Sequence, residues 1–242
     1  ANSTATANAS VSYAAASSLT ISSASGTATI QMAAAGSAKD LVAQINQSID
    51  TTGVTATAET DVTMTFSSSG SYTFTMTGDN TTAETVSFNL TAASGVDALT
   101  AAANAVNDIA DKTGVTAIVN SAGTGVELHH YEGENIVIAT AANSTSGDIN
   151  FLDAAGASTD SIVAAAADAG ITLSGEVDFN SQAAFTVVEG AAMAVSAAAG
   201  TGVAGSLQKV QDLDVASVDS ANEALQIVDS AIAQISSQRA KF

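Results

Sequence analysis

Leu41-Val-Ala-Gln-Ile-Asn-Gln-Ser-Ile-Asp-Thr-Thr-Gly-Val-Thr-Ala56 recurs about 61 residues later as Ala102-Ala-Asn-Ala-Val-Asn-Asp-Ile-Ala-Asp-Lys-Thr-Gly-Val-Thr-Ala117. Seven positions are identical: Asn46/Asn107, Asp50/Asp111, Thr52/Thr113, Gly53/Gly114, Val54/Val115, Thr55/Thr116 and Ala56/Ala117. A repeat of this kind marks a supersecondary unit used twice. Leu41, Ile45 and Ile49 stand four apart, as do Ala102, Val106 and Ala110, so each copy predicts a helix with one apolar face. Gly53 and Gly114 predict its end, because glycine accepts the left-handed conformation that satisfies the last helical carbonyls. The β-branched Val-Thr after each glycine predicts a strand.

Outward from the repeat, Val62, Met64 and Phe66 alternate, as do Tyr72, Phe74 and Met76, which predicts a hairpin turning through Ser67 to Ser71. The second copy continues alike, with Val126, Leu128 and His130, then Glu132 to Asn135, then Ile136 to Ile138. Residues 1 to about 26, with Val11, Tyr13, Leu19 and Ile21 as their strong apolar anchors, read as a loose lead-in followed by an edge strand. Between 150 and 205 the pattern weakens, with strand pieces at Ile171 to Leu173 and Phe185 to Val188. From Val218 the residues Val218, Ala221, Leu225, Val228, Ile232, Ile235 and Arg239 recur three and four apart, the seam of a long bundle or coiled-coil helix. The fold class expected is therefore α+β: elongated, Ala-rich domains of repeated helix-strand-hairpin units, with a long C-terminal α-helix.

Composition narrows the function. The 242 residues carry 5 Lys+Arg against 24 Asp+Glu, a net charge of −19, so phosphate backbones and anionic headgroups are repelled and neither nucleic acid nor a membrane is an expected partner. No window is apolar enough to span a bilayer. There is no Cys, Pro or Trp, and aromatic residues make up 4%. Stability must come from packing without disulfides, in Ala-rich layers that predict thin cores.

Catalytic chemistry finds little support. His129 and His130 are the two histidines, and neighbouring Glu127, Glu132 and Glu134 invite a metal reading, but adjacent strand residues point to opposite faces and cannot both ligate one ion. The wording is not His-Glu-x-x-His, and no phosphate-binding glycine loop follows a strand. Acid pairs such as Asp212 and Asp214, or Asp148 and Asp153, lack the loop of a calcium site. No cofactor, metal or catalytic residue is expected. An adhesin or polysaccharide-binding module is the alternative function, disfavoured because sugar sites commonly stack aromatic rings.

Two stretches resemble a known family. Residues 210–241, above all Ser236-Ser-Gln-Arg-Ala240 preceded by Ala224-Leu225 and Asp229-Ser-Ala-Ile232, resemble the C-terminal core helix region of bacterial flagellin. Ile45-Asn46 with Thr52-Gly-Val-Thr-Ala56 resembles the "IN" motif of flagellin outer domains. The resemblance implies a structural, non-enzymatic subunit of the extracellular flagellar filament, exported without a cleavable signal peptide, whose partners are other flagellin subunits, with a host immune receptor or surface ligand as further candidates. It implies outer variable domains over 1–145 with repeats at about 28–90 and 91–145, a return segment over 146–205, and part of the inner D1 region over 206–242. Leu225, Val228, Ile232 and Ile235, with Gln238 and Arg239, are expected at filament or bundle contacts. The motif residues are Asn46, Gly53, Val54, Asn107, Gly114 and Val115. The long helices that open a complete flagellin and the Asn-Arg-rich stretch that closes it do not stand in this sequence, so a fragment that does not polymerise unaided is expected.

Overall fold

The structure, a computed structural model, describes residues 2–7, 17–140, 144–153, 156, 158–164, 169–181, 183–190, 202–204 and 206–208, together with Ala224 and Val228. Strand dominates these residues. In chain order they form β1 (Asn2–Ala7), β2 (Ser17–Ser23), β3 (Thr27–Met32), α1 (Ala38–Gln47), α2 (Ile49–Thr52), β4 (Val54–Phe66), β5 (Gly70–Thr77), β6 (Glu84–Leu90), α3 (Val96–Asn107), α4 (Ala110–Thr113), β7 (Thr116–Val119), β8 (Val126–His130), β9 (Ile136–Thr140), β10 (Ile149–Leu152), β11 (Ser158–Ile162), β12 (Ala169–Leu173), β13 (Glu176–Ser181), β14 (Phe185–Glu189), β15 (Gly202–Ala204) and β16 (Ser206–Gln208).

Three antiparallel sheets result. The largest runs β11-β10-β4-β13-β1-β16, with β8 also on β4 and β7 on β8; the others run β12-β9-β5-β6 and β15-β14-β2-β3. The 13-residue β4 of the largest sheet faces both cores, and its burial alternates along both halves. Val54 and Ala56 point into one core, with Leu19, Ile21, Leu41, Ile45, Phe179 and Phe185. Val62, Met64 and Phe66 point into a second, with Tyr72, Phe74, Leu99, Val106, Leu128, Ile138 and Phe151. The sparse aromatics are concentrated rather than thinly spread: Phe66, Tyr72 and Phe88 meet with ring centroids 4.9–5.6 Å apart, and the Tyr72 hydroxyl donates to the Ser68 carbonyl at 2.7 Å.

This architecture corrects the expected fold class. The repeating unit is hairpin, helix, strand rather than helix, strand, hairpin: β2–β3, α1–α2 and β4, then β5–β6, α3–α4 and β7. In each unit the longer helix packs on the second hairpin strand and on the strand that follows, α1 on β3 and β4 and α3 on β6 and β7. The helices are short, the longest having 12 residues, and no long C-terminal helix occurs among the described residues. The expected seam lies outside them except for Val228, which with Ala224 is helical.

The two predicted hairpins are instead arches between sheets. β4 pairs with β8, β10 and β13, whereas β5 pairs with β6 and β9. Likewise β8 pairs with β4 and β7, and β9 with β5 and β12. Alternation is the same in both arrangements, because a strand with one buried face looks alike whether the next strand lies beside it or across the core. β2, read as an edge strand, lies between β14 and β3.

The predicted helix of each copy is broken in two. Ser48 leaves the helical path at φ −97°, ψ 9°, so α1 ends at Gln47 and Ile49 turns outward to 41% exposure, while Leu41 and Ile45 are fully buried. Ser37 caps α1, its hydroxyl accepting from the Asp40 N–H and its own N–H donating to the Asp40 carboxylate, both at 3.3 Å.

Candidate functional site

The shared residues of the repeat make one device twice. Asn46 sits near the end of α1, where its amide nitrogen donates to the Ala56 carbonyl at 2.9 Å and its amide oxygen accepts from the Ala56 N–H at 2.8 Å. Asn107 does the same to Ala117, with both bonds at 2.8 Å. A carboxamide has the donor and acceptor of a peptide group, so each Asn stands in for a neighbouring strand residue and locks helix to strand. Thr52 and Thr113 complete the copies: each hydroxyl donates four residues back, to Ser48 or Ile109, and accepts from Val54 or Val115 at 3.2 Å. Gly53 and Gly114 take φ of 65° and 70°, and Val54 and Val115 plunge directly into the cores.

The device performs no chemistry; it fixes geometry. Asn46→Ala removes two hydrogen bonds from a solvent-facing side chain and is expected to destabilise by about 1–2 kcal/mol. Asn107→Ala should cost as much, since the contacts match. Urea denaturation of the single and double variants checks this, and independent units predict additive losses.

A second group joins the two units. Lys39 of α1 reaches Asp79 of the second unit at 3.0 Å and Glu132, in the turn between β8 and β9, at 2.5 Å. Those two hydrogen bonds, donated to Glu132 and then to Asp79, raise the lysine above its ordinary value. Burial alone would push the Asp79 carboxyl up, but Lys39 and the nearby His130 hold it below the usual carboxylate range. His130 is 2% exposed; its Nδ1 accepts from the N–H groups of Glu132 and Glu134 at 3.3 and 3.4 Å. Its Nε2 lies 3.3 Å from Asp79 Oδ2, an electrostatic contact off the hydrogen-bond line.

His129 points the other way, onto the outer face of the large sheet, as alternation along β8 requires. Its Nδ1 meets the carboxylate of Asp61, its partner across β4–β8, and Tyr131 packs edge-on against its ring with centroids 3.9 Å apart. The outer face of β4 reads Thr55, Thr57, Glu59, Asp61, Thr63, Thr65, so two acids interrupt a row of threonines. Across β4–β13, Glu59 faces Glu176. Burial first, then Asp178, Glu59, Asp61 and Asp153, push the Glu176 carboxyl from 4.5 to about 7.

A carboxyl whose folded value is raised contributes stability that is present at low pH and lost as pH rises through about 4.5 to 7. Glu176→Gln is therefore expected to flatten the fall in melting temperature over that interval and to melt higher than the native chain at pH 8, with chelator present. Thermal melts of both proteins across the interval check the sign.

Sequence reading identified the Asn and Gly residues of the repeat but did not connect Asn46 to Ala56 or Asn107 to Ala117. It missed Lys39, Asp79, Glu59, Asp61 and Glu176. The period-two alternation of β4 would have put Glu59 and Asp61 on one face, but their partners on β8 and β13 follow only from topology. Leu225, Ile232, Ile235, Gln238 and Arg239 lie outside the described residues; Val228 is half-buried.

Residues 18–70 match a family model described as the flagellin hook IN motif. The match begins in β2 and runs through β3, α1, α2 and β4 to the first residue of β5, so it spans the first hairpin-helix-strand unit. Over this stretch the chain is similar to the flagellin family. No curated protein matches it. No helix among the described residues is long and apolar enough to cross a membrane.

Proposed function

We propose that this chain is the surface-exposed part of a flagellar filament subunit, a structural and non-enzymatic body carried outside the cell by a polymer of identical subunits. The carrying observation is that the matched IN motif coincides with a folded unit that recurs in the chain with the same Asn clamp and the same left-handed glycine. The net charge of −19 supports the reading, because a strongly acidic coat keeps a crowded surface hydrated and mutually repelling. Other flagellin subunits are its partners. A host receptor or a surface ligand would meet the outer faces of these sheets.

In this reading Leu225, Val228, Ile232 and Ile235 pack in the inner shell of the filament, with Gln238 and Arg239 near subunit contacts. The chain joined to the terminal segments of a filament-forming flagellin, seeded and viewed by electron microscopy, is expected to give long uniform tubes. Soluble monomers under the same seeding would overturn the proposal. Leu225→Asp with Ile232→Asp is expected to abolish the tubes, and normal filaments from that variant would remove these residues from the subunit contacts.

A further inference from the structure

We propose that Glu59, Asp61 and His129 form a binding site for one divalent first-row transition ion, of the chemistry of zinc, on the outer face of the large sheet. The donors are already gathered: one ligand atom from each of the three lies within 4.8 Å of the other two. Zinc takes nitrogen and oxygen donors at about 2.0–2.2 Å, so donors around one ion stand about 3–4 Å apart, and small side-chain rotations suffice here. Two carboxylates with one imidazole suit such an ion. Calcium and magnesium prefer oxygen alone.

The scaffold is rigid where the site needs it. Glu59 and Asp61 are two apart on one strand and share a face, and the ladder register sets Asp61 directly against His129. Tyr131 holds the ring of His129 from the side. The three are half-buried, which removes some competing water while leaving an approach from solvent.

The surroundings favour a cation independently of this geometry. Glu176 stands opposite Glu59, with Asp178 two residues further on the same face of β13. Like charges directly across a ladder repel. The two lysines among the described residues are engaged elsewhere, Lys39 with Asp79 and Glu132, and Lys112 with Glu84 at 3.0 Å. A bound divalent ion would offset the repulsion among these acids. The site does not depend on the filament reading, since it uses only the folded sheet.

The test is zinc chloride titrated into the chelator-stripped chain by calorimetry, with histidine ring signals followed by NMR. One ion per chain is expected, bound roughly tenfold or more weakly by His129→Gln and by Asp61→Asn, with little heat from calcium or magnesium. Because the chain has two histidines on opposite faces, the native protein alone is decisive: zinc should shift or broaden the His129 ring signals and leave those of His130 in place. No saturable uptake, equal uptake by both variants, or a perturbed His130 with an unmoved His129 would overturn the site.

Discussion

Phe151→Ala is expected to destabilise the protein by about 3–5 kcal/mol, the range for removing a phenyl ring from a closed core. Phe151 is 0% exposed and lies on β10, opposite Met64 of β4. It belongs to the part of the chain that returns after the two units to join the large sheet beside β4, so its ring is how that later segment fastens to the second core. The loss combines the unfavourable exposure of the ring on unfolding no longer being felt with a cavity that rigid strands on both sides of β10 prevent from collapsing. Leu152→Ala, one residue on and half-buried on the opposite face, is the control and should cost less than about 1.5 kcal/mol. Guanidinium denaturation of the pair reads the difference. Equal costs would mean that β10 is displaced by one residue, since such a slip exchanges the two faces.

Gly114→Ala should cost about 2–4 kcal/mol, and Gly53→Ala only about 1 kcal/mol, although the two glycines occupy the same place in the repeat. Both have positive φ, so both variants bear the strain of an L residue in the left-handed region. The surroundings differ. A Cβ at Gly114 would lie 2.5 Å from Asp79 Oδ2 and 2.6 Å from His130 Nε2, whereas at Gly53 its nearest neighbour is the Ser25 hydroxyl at 3.4 Å. Asp79 can swing away, but only by leaving Lys39, and the His130 ring is enclosed. The second copy of the helix stop has thus been built into the joint between units, while the first remains an ordinary turn. Thermal melts of the two variants check the ranking, and a Gly53→Ala loss equal to that of Gly114→Ala would show that backbone strain alone sets the cost.

The parts of this fold legible in the sequence are those that local chemistry decides. The left-handed glycines, the strands they launch and the buried faces at Leu41, Ile45, Ala102 and Val106 follow from residue type and spacing over a few positions. The pieces expected at Ile171 to Leu173 and Phe185 to Val188 fall within β12 and β14. Strand partners are not local. Val62 to Met76 carries the same alternation in an arch as in a hairpin, and nothing in that stretch says that Gly70 will face Leu90 rather than Phe66. The joint was hidden for the same reason, because Lys39 and Asp79 are 40 residues apart and His130 further still. Ile49 shows the opposite error. Its spacing from Ile45 is ideal for one helix face, but the turn at Ser48 intervenes.

The position of β1 has a consequence for descent. Asn2 pairs with Gln208, and β1 lies between β16 and β13, so the first and the last strands described here leave the body side by side. The described strands between them hang from a doorway about one strand spacing wide, roughly 5 Å. A host that holds those two strands is insensitive to how many residues lie beyond them. Whole units can be gained, lost or exchanged there with the doorway unaltered, and a duplicated unit following β4 is what one such gain would leave behind.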